Sequence, residues 1–203
     1  MLALTQGLMS LGAGGGGSYA YWNPLDRSAS ATLSDSDRVA SRTGGGTSWV
    51  RSVTSKNAGK WRVQFVLTPF AATHGVGFAT SAAIGSFLGG NSAGWAYWGN
   101  YSSSGRTYSN NAFVDFAGFT LASNDRVDLL IDIGAGRAWW RRNGVVIAGD
   151  PVNGTGAMLT FTPGTTVFLA CDCFGVGGAT RLRTDPAEMV DSPVSGFTDG
   201  WPV

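Results

Sequence analysis

Glutamate and histidine are almost missing from this sequence: Glu188 and His74 are the only residues of their kinds in 203. Hydrolysis of a glycosidic bond needs two carboxylates placed across it, and a serine nucleophile needs a histidine base within reach. Glu188 sits in a proline-containing tail, and His74 in a loop-like stretch, AATHGVG, with no nucleophile-elbow motif. His74 is therefore expected to be a surface loop residue. Asp128 and Asp132 share a strand face on either side of Leu130. They are expected to be solvent-facing partners for Arg137, Arg141 or Arg142 rather than a catalytic pair. Catalysis is not expected.

Charge is scarce too. Only 13% of residues are charged and the net charge is +1, which leaves no basic footprint for nucleic acid and no polybasic membrane segment. No apolar run is long enough to span a bilayer, so membrane insertion is not expected. The opening MLALTQGLMSLGAGGGGS lacks the basic start and unbroken apolar stretch of a signal peptide. The glycine run GAGGGGS lacks the lysine of a phosphate-binding loop and a strand before it, so no nucleotide cofactor is implied.

Cysteine is limited to Cys171 and Cys173. On a strand they point to the same face about 6.5–7 Å apart, the upper limit for a disulfide. Two core thiols in a reducing compartment are the favoured reading. No second cysteine pair supports a metal site, and Asp35, Asp37 and Asp172 lack calcium-ligand spacing.

Glycine (31 residues), phenylalanine (11), tryptophan (8) and tyrosine (5) are abundant. Many turns and many aromatics suit short strands packed as two sheets. Residues 60–67 alternate, with Trp61, Val63, Phe65 and Leu67 on one face and Lys60, Arg62 and Gln64 on the other. Val127, Leu129, Ile131 and Ile133 line another strand; residues 134–136 turn the chain, RAWWR returns it, and Asn143-Gly144 makes a tight hairpin turn. Further strands are predicted over 30–33, 38–41, 49–53, 75–80, 93–98, 106–109, 145–148, 166–174 and 180–183. Residues 185–203, with three prolines, read as an ordered wrap. No intervening helix and no fixed-period repeat is visible, which favours an antiparallel sandwich.

Residues 1–18 stand apart. Leu4, Leu8 and Leu11 recur at helical spacing ahead of a flexible glycine run. Two readings stay open: a disordered tail, or a docking peptide that folds onto a partner or onto its own copies in an oligomer. Residues 19–203 form the sandwich with its C-terminal wrap.

The segment NDRVDLLIDIGAGRAWWRRNGVVIAG resembles the signature hairpins of the SPRY (B30.2-like) family: an acidic-ended apolar strand, a glycine turn, an aromatic strand, then Arg-Asn-Gly. GKWRVQFVL, GVGFAT, and residues 94–100 followed by GRTYSNNAF are similar to other family segments in the same order. The resemblance covers roughly residues 20–185 and implies an all-β, concanavalin-like SPRY-type β-sandwich (jelly roll). Arg62 stands where the family has Glu, and Leu182-Arg183-Thr184 replaces its Asn-Phe-Gly. A narrower likeness, through WNPLDRSASATLS and PVSGF, is to SPRY-like domains of tailed-phage and prophage virion proteins. It implies a virion part made in the host cytoplasm: a tail fibre, tail-tip or head-decoration protein.

Within this frame the candidate ligand-binding residues are Trp98, Tyr101, Arg106 and Tyr108, in a Ser/Asn/Gly-rich stretch where aromatics stack on sugars or supply protein contact area. Trp95 and Tyr97 are expected to face inward. Of the adjacent Trp139 and Trp140, one faces in and the other is free to anchor an interface. The expected partners are other virion proteins, through the N-terminal peptide, and a host surface glycan or protein. The alternatives are a purely structural virion role and, third, a carbohydrate-active enzyme.

Overall fold

The structure, a computed structural model, describes residues 19–46, 48–69, 73–101 and 104–203, the side chains of residues 100 and 101 excepted. Leu4, Leu8 and Leu11 lie outside the described residues, as does the side chain of Tyr101.

The described residues form sixteen strands and one 3₁₀ turn, Pro186–Glu188. The chain begins with β1 (Trp22–Arg27), β2 (Ala31–Ser34), β3 (Val39–Arg42), β4 (Trp49–Lys56) and β5 (Lys60–Leu67). It continues with β6 (His74–Ala79), β7 (Gly94–Tyr101), β8 (Ser104–Ser109), β9 (Ala112–Ala117) and β10 (Arg126–Asp132). It ends with β11 (Arg137–Arg142), β12 (Val145–Val146), β13 (Leu159–Thr160), β14 (Val167–Cys173), β15 (Ala179–Arg183) and β16 (Thr198–Asp199).

Two sheets result. The first runs β1-β4-β14-β6-β7-β8-β9; the second runs β12-β11-β10-β5-β15-β3-β2, with β13 beside β11 and β16 beside β5. Among the described residues the ladders are antiparallel except for β16 on β5. The Asn143-Gly144 turn has both residues at positive φ (49° and 82°), the geometry that matches strand twist in a tight hairpin. Asn110 and Asn111, at 50° and 62°, do the same between β8 and β9. β1 and β9 are strands that the alternation pattern did not predict.

Period-two alternation decides what lies between the sheets. Val63, Phe65 and Leu67 of β5 and Val127, Leu129 and Ile131 of β10 meet Val76 and Phe78 of β6 and Val167, Leu169 and Cys171 of β14 in one core. Trp95, Tyr97 and Trp140 are inward-facing members of it, with Phe78 stacked on Trp95 at 5.2 Å between ring centroids. Each such side chain contributes on the order of 1.5–3 kcal/mol of burial.

Both outer faces are covered as well. Residues 80–93 fold back over the first sheet and set Ile84, Phe87 and Leu88 against Ala79, Ala96, Trp98, Tyr108 and Ala170. The C-terminal wrap crosses the second sheet and sets Val194 and Phe197 against Leu130 and Trp139. Trp201 reaches the main core, where its indole Nε1 donates to the Thr54 carbonyl at 3.0 Å. Trp139 does face outward, but the wrap buries it completely, so it is not an exposed anchor.

Candidate functional site

The four ligand-binding candidates lie on β7 and β8, at the end of the first sheet, and the structure separates them. Trp98 points away from the core as alternation requires, yet it is 1% exposed. Its indole Nε1 donates to the Leu88 carbonyl at 2.9 Å, and Phe87 packs edge-on at 5.8 Å. Across the ladder stands Gly75, whose missing side chain leaves room for the indole; a Cβ there would overlap the ring. Tyr108 is buried under the same Phe87, at 5.2 Å. These two side chains stabilise the covering loop and offer no surface for a ligand. Tyr101 pairs through its backbone with Ser104.

Arg106 is partly covered, with its side chain 16% exposed. Its guanidinium holds both oxygens of Asp115 at 2.7 and 3.2 Å, lies 3.1 Å from the Tyr108 hydroxyl, and sits 4.1 Å above the Phe113 ring. Phe113 itself is 53% exposed and Val114 55%. Both belong to β9, the end strand of its sheet, with no further strand beside it among the described residues. An exposed apolar end strand with unpaired backbone groups is a template for added chain. Beneath it runs a slot of about 110 Å³ lined by Thr107, Ser109, Ala112, Phe113, Val114 and Leu159. The buried Thr107 hydroxyl has no hydrogen-bond partner among the described residues. Phe113 and Val114 are not among the residues that the sequence pattern singles out. The signal was Asn-Asn as a two-residue turn followed by the alternation of Phe113 and Asp115 against Val114 and Phe116.

The carboxylates are committed elsewhere. Asp128 is fully buried and paired with Arg141, while Gln64 donates to it at 2.9 Å and Arg62 lies at 3.9 Å. Arg62 also holds Asp199 of the wrap at 2.7 Å. Asp132 is bound to Lys60 at 3.1 Å. The expectation that these aspartates face solvent is therefore wrong for both, since each is buried. Burial raises the pKa of Asp128, against the lowering effect of Arg141 and Gln64.

His74 is also not a loop residue. It opens β6, is fully buried, and its Nδ1 lies 3.2 Å from the Thr180 hydroxyl. Burial lowers its pKa to about 4, so the ring is neutral at pH 7. Cys171 and Cys173 are free thiols buried in the core, as expected. Among the described residues no three His, Cys, Asp or Glu side chains form a group that would hold a metal ion.

No family model matches the sequence, and no curated protein matches it. Solved structures do match. The SPRY domain of human HERC1 is similar with a TM-score of 0.66 at 13% identity, over 83% of this chain and 99% of that one. The TRIM65 PSpry domain is similar with a TM-score of 0.62 at 12% identity, over 81% and 91%. Stonustoxin is similar with a TM-score of 0.60 at 15% identity, over 80% of this chain and 28% of that larger one. The chain therefore has the SPRY-type β-sandwich fold expected from its ordered hairpin motifs.

Proposed function

We propose that this chain is a non-catalytic recognition module carried on a tailed-phage or prophage particle, binding a host surface protein through the β8–β9 edge. The observation that supports recognition is the exposure of Phe113 and Val114 on an end strand, next to Arg106 stacked on Phe113. Rigid aromatic area beside an arginine is the composition of an interface anchor. An open strand edge adds backbone groups that pair with protein chain, which favours a protein over a glycan as the ligand. The particle setting rests on the likeness of WNPLDRSASATLS and PVSGF to virion SPRY-like domains. In this reading residues 1–18, with Leu4, Leu8 and Leu11, dock the sandwich onto the particle.

The test is a titration of labelled protein onto cells of the bacterial strain that supports the particle, beside the Phe113→Asp/Val114→Asp variant. Saturable binding that weakens at least tenfold in the variant, and that protease treatment of the cells removes, is the expected result. Binding removed by periodate but not by protease points to a glycan and overturns the choice of ligand. No binding by the wild-type chain overturns adhesion; if the variant then also fails to enter particles, the edge contacts other virion proteins. Normal incorporation of a chain lacking residues 1–17 overturns the docking peptide.

A further inference from the structure

The second sheet carries a different kind of surface where the C-terminal wrap leaves it uncovered. Three adjacent strands place Arg126, Val66 and Arg181 in one row, because Val66 of β5 is the register partner of Arg126 on β10 and of Arg181 on β15. Arg183, two residues along β15, projects from the same face. Together with Val190 of the wrap they line a groove of about 300 Å³ with a valine floor and guanidinium walls.

The groove has a surplus of positive charge. Arg126 is engaged by Asp191 at 2.9 Å and Arg181 by Asp35 at 2.6 Å. Arg183 donates to the neutral Gln64 amide oxygen at 3.0 Å. Three guanidiniums against two carboxylates leave one net positive charge (3 − 2 = 1). The Arg181–Asp35 pair is open to solvent, with the side chains 37% and 54% exposed, so it is a weak pair that an incoming anion displaces at little cost. Guanidinium groups present donors in a fork that matches a carboxylate.

We propose that this groove is a second binding site that takes an acidic peptide segment in extended conformation, with carboxylates two residues apart lying along β15 against Arg181 and Arg183. The spacing supplies the specificity. Residues i and i+2 of one strand stand about 6.5–7 Å apart, as do side chains i and i+2 of an extended peptide. The residue between the two acids turns to the opposite side, away from the floor. Arg126 faces the same segment from across Val66 and excludes a basic residue there.

The probe is a fluorescent peptide, acetyl-Ser-Glu-Val-Glu-Ser-amide, titrated against the full chain at low and high salt. The expected result is binding that weakens with salt, at least tenfold weaker in Arg181→Glu and in Arg183→Glu. Asp35→Asn is the control against misfolding: it frees Arg181 from its competing carboxylate, so binding should tighten a few-fold. Phe113→Asp, on the other sheet, should leave this binding unchanged. The proposal falls if the Gln-Val-Gln analogue binds as well as the glutamate peptide, or if Asp35→Asn weakens binding. Complete displacement by millimolar inorganic phosphate makes the groove a simple anion site and overturns the peptide assignment.

Discussion

Asp172 holds Leu88: its Oδ2 accepts the Leu88 amide at 3.2 Å, although Leu88 belongs to the covering loop and Asp172 to β14 beneath it. Its other oxygen accepts the Ser48 amide at 3.4 Å. One strand position away, Cys173 is the register partner of His74. Two titratable groups with opposite habits are thus buried on opposite faces of one sheet, Asp172 under the covering loop and His74 toward the core against Thr180. Burial raises Asp172 from 3.8 to about 6, despite the two amides, and lowers His74 from 6.5 to about 4.

The signs are opposed. Between pH 4 and 6 folded Asp172 keeps a proton that the unfolded chain has released, so its contribution to stability falls as pH rises. Folded His74 lacks a proton that the unfolded chain holds up to its ordinary value, so its contribution rises over nearly the same window. Each amounts to about 3 kcal/mol at full shift, and the two offset one another. Urea midpoints measured from pH 4 to 7 should expose them. Relative to wild type, Asp172→Asn gains a positive slope with pH and His74→Gln a negative one. Parallel profiles for all three proteins contradict the assignment.

Gly75 and Trp98 give a packing prediction. A methyl group at Gly75 displaces the indole, because a Cβ there overlaps its ring. The displaced ring loses its bond to Leu88 and its contact with Phe87. Gly75→Ala should cost about 1–3 kcal/mol, the usual range for overpacking. Proteolysis should then cut first within residues 80–93. Trp98→Phe, which keeps most of the ring but loses the indole donor, should cost about 1 kcal/mol. Equal stability of wild type and Gly75→Ala rules out the tight seat described for Trp98.

Period-two alternation made the core legible. It placed Phe65, Val127, Leu129, Tyr97 and the two cysteines correctly, since each lies mid-strand in a clear pattern. It also puts Trp98 on an outer face and one of Trp139 and Trp140 there; the structure has Trp98 and Trp139 outward and Trp140 in the core. Alternation says which side of a sheet a residue takes, but whether that side is covered depends on chain far away in sequence. Residues 80–93 and the C-terminal wrap supply that cover, so two apparent surface tryptophans are buried. The pattern starts this strand at Gly75, one residue after its actual beginning, and so leaves His74 in a loop. Phe113 escapes the pattern because a tight turn of two asparagines at positive φ carries no Asn-Gly or Asp-Gly signature. Arg62 has a physical role in this structure: the wrap and β10 bring Asp199 and Asp128 to it.

Asp128 and Asp132 share a strand but should respond differently to substitution. Asp128 and its cations Arg62 and Arg141 are all buried. Removing one member of such a group leaves charge without compensation, so Asp128→Ala should cost about 3–5 kcal/mol in urea denaturation. Asp132 pairs with Lys60, whose side chain is 44% exposed. Asp132→Ala should cost no more than about 1 kcal/mol for the pair itself, with a little added for the Ala135 amide that Asp132 accepts at 2.9 Å. Similar losses at the two positions contradict the distinction between a sealed cluster and a pair with one exposed partner.

The thiols provide the last test. Cys171 and Cys173 are free and fully buried, and burial pushes the Cys171 thiol well above its ordinary range, with its neighbour adding to the shift. The reactive species is the thiolate, so Cys171 is doubly protected, by access and by protonation, and Cys173 is protected by burial. Cys173 is further engaged, its Sγ lying 3.4 Å from the Ala40 carbonyl and 3.6 Å from the Thr180 hydroxyl. A coloured aromatic disulfide reagent should therefore label neither thiol in the folded protein and both once urea unfolds it. At intermediate urea the labelling rate should track global opening rather than local fraying, because β14 lies between β4 and β6 in the interior of its sheet. Adding a reductant should leave the melting temperature unchanged. Rapid labelling of the native protein means that the first sheet opens locally, and a melting temperature that drops with reductant means that the two sulfurs are bonded in solution.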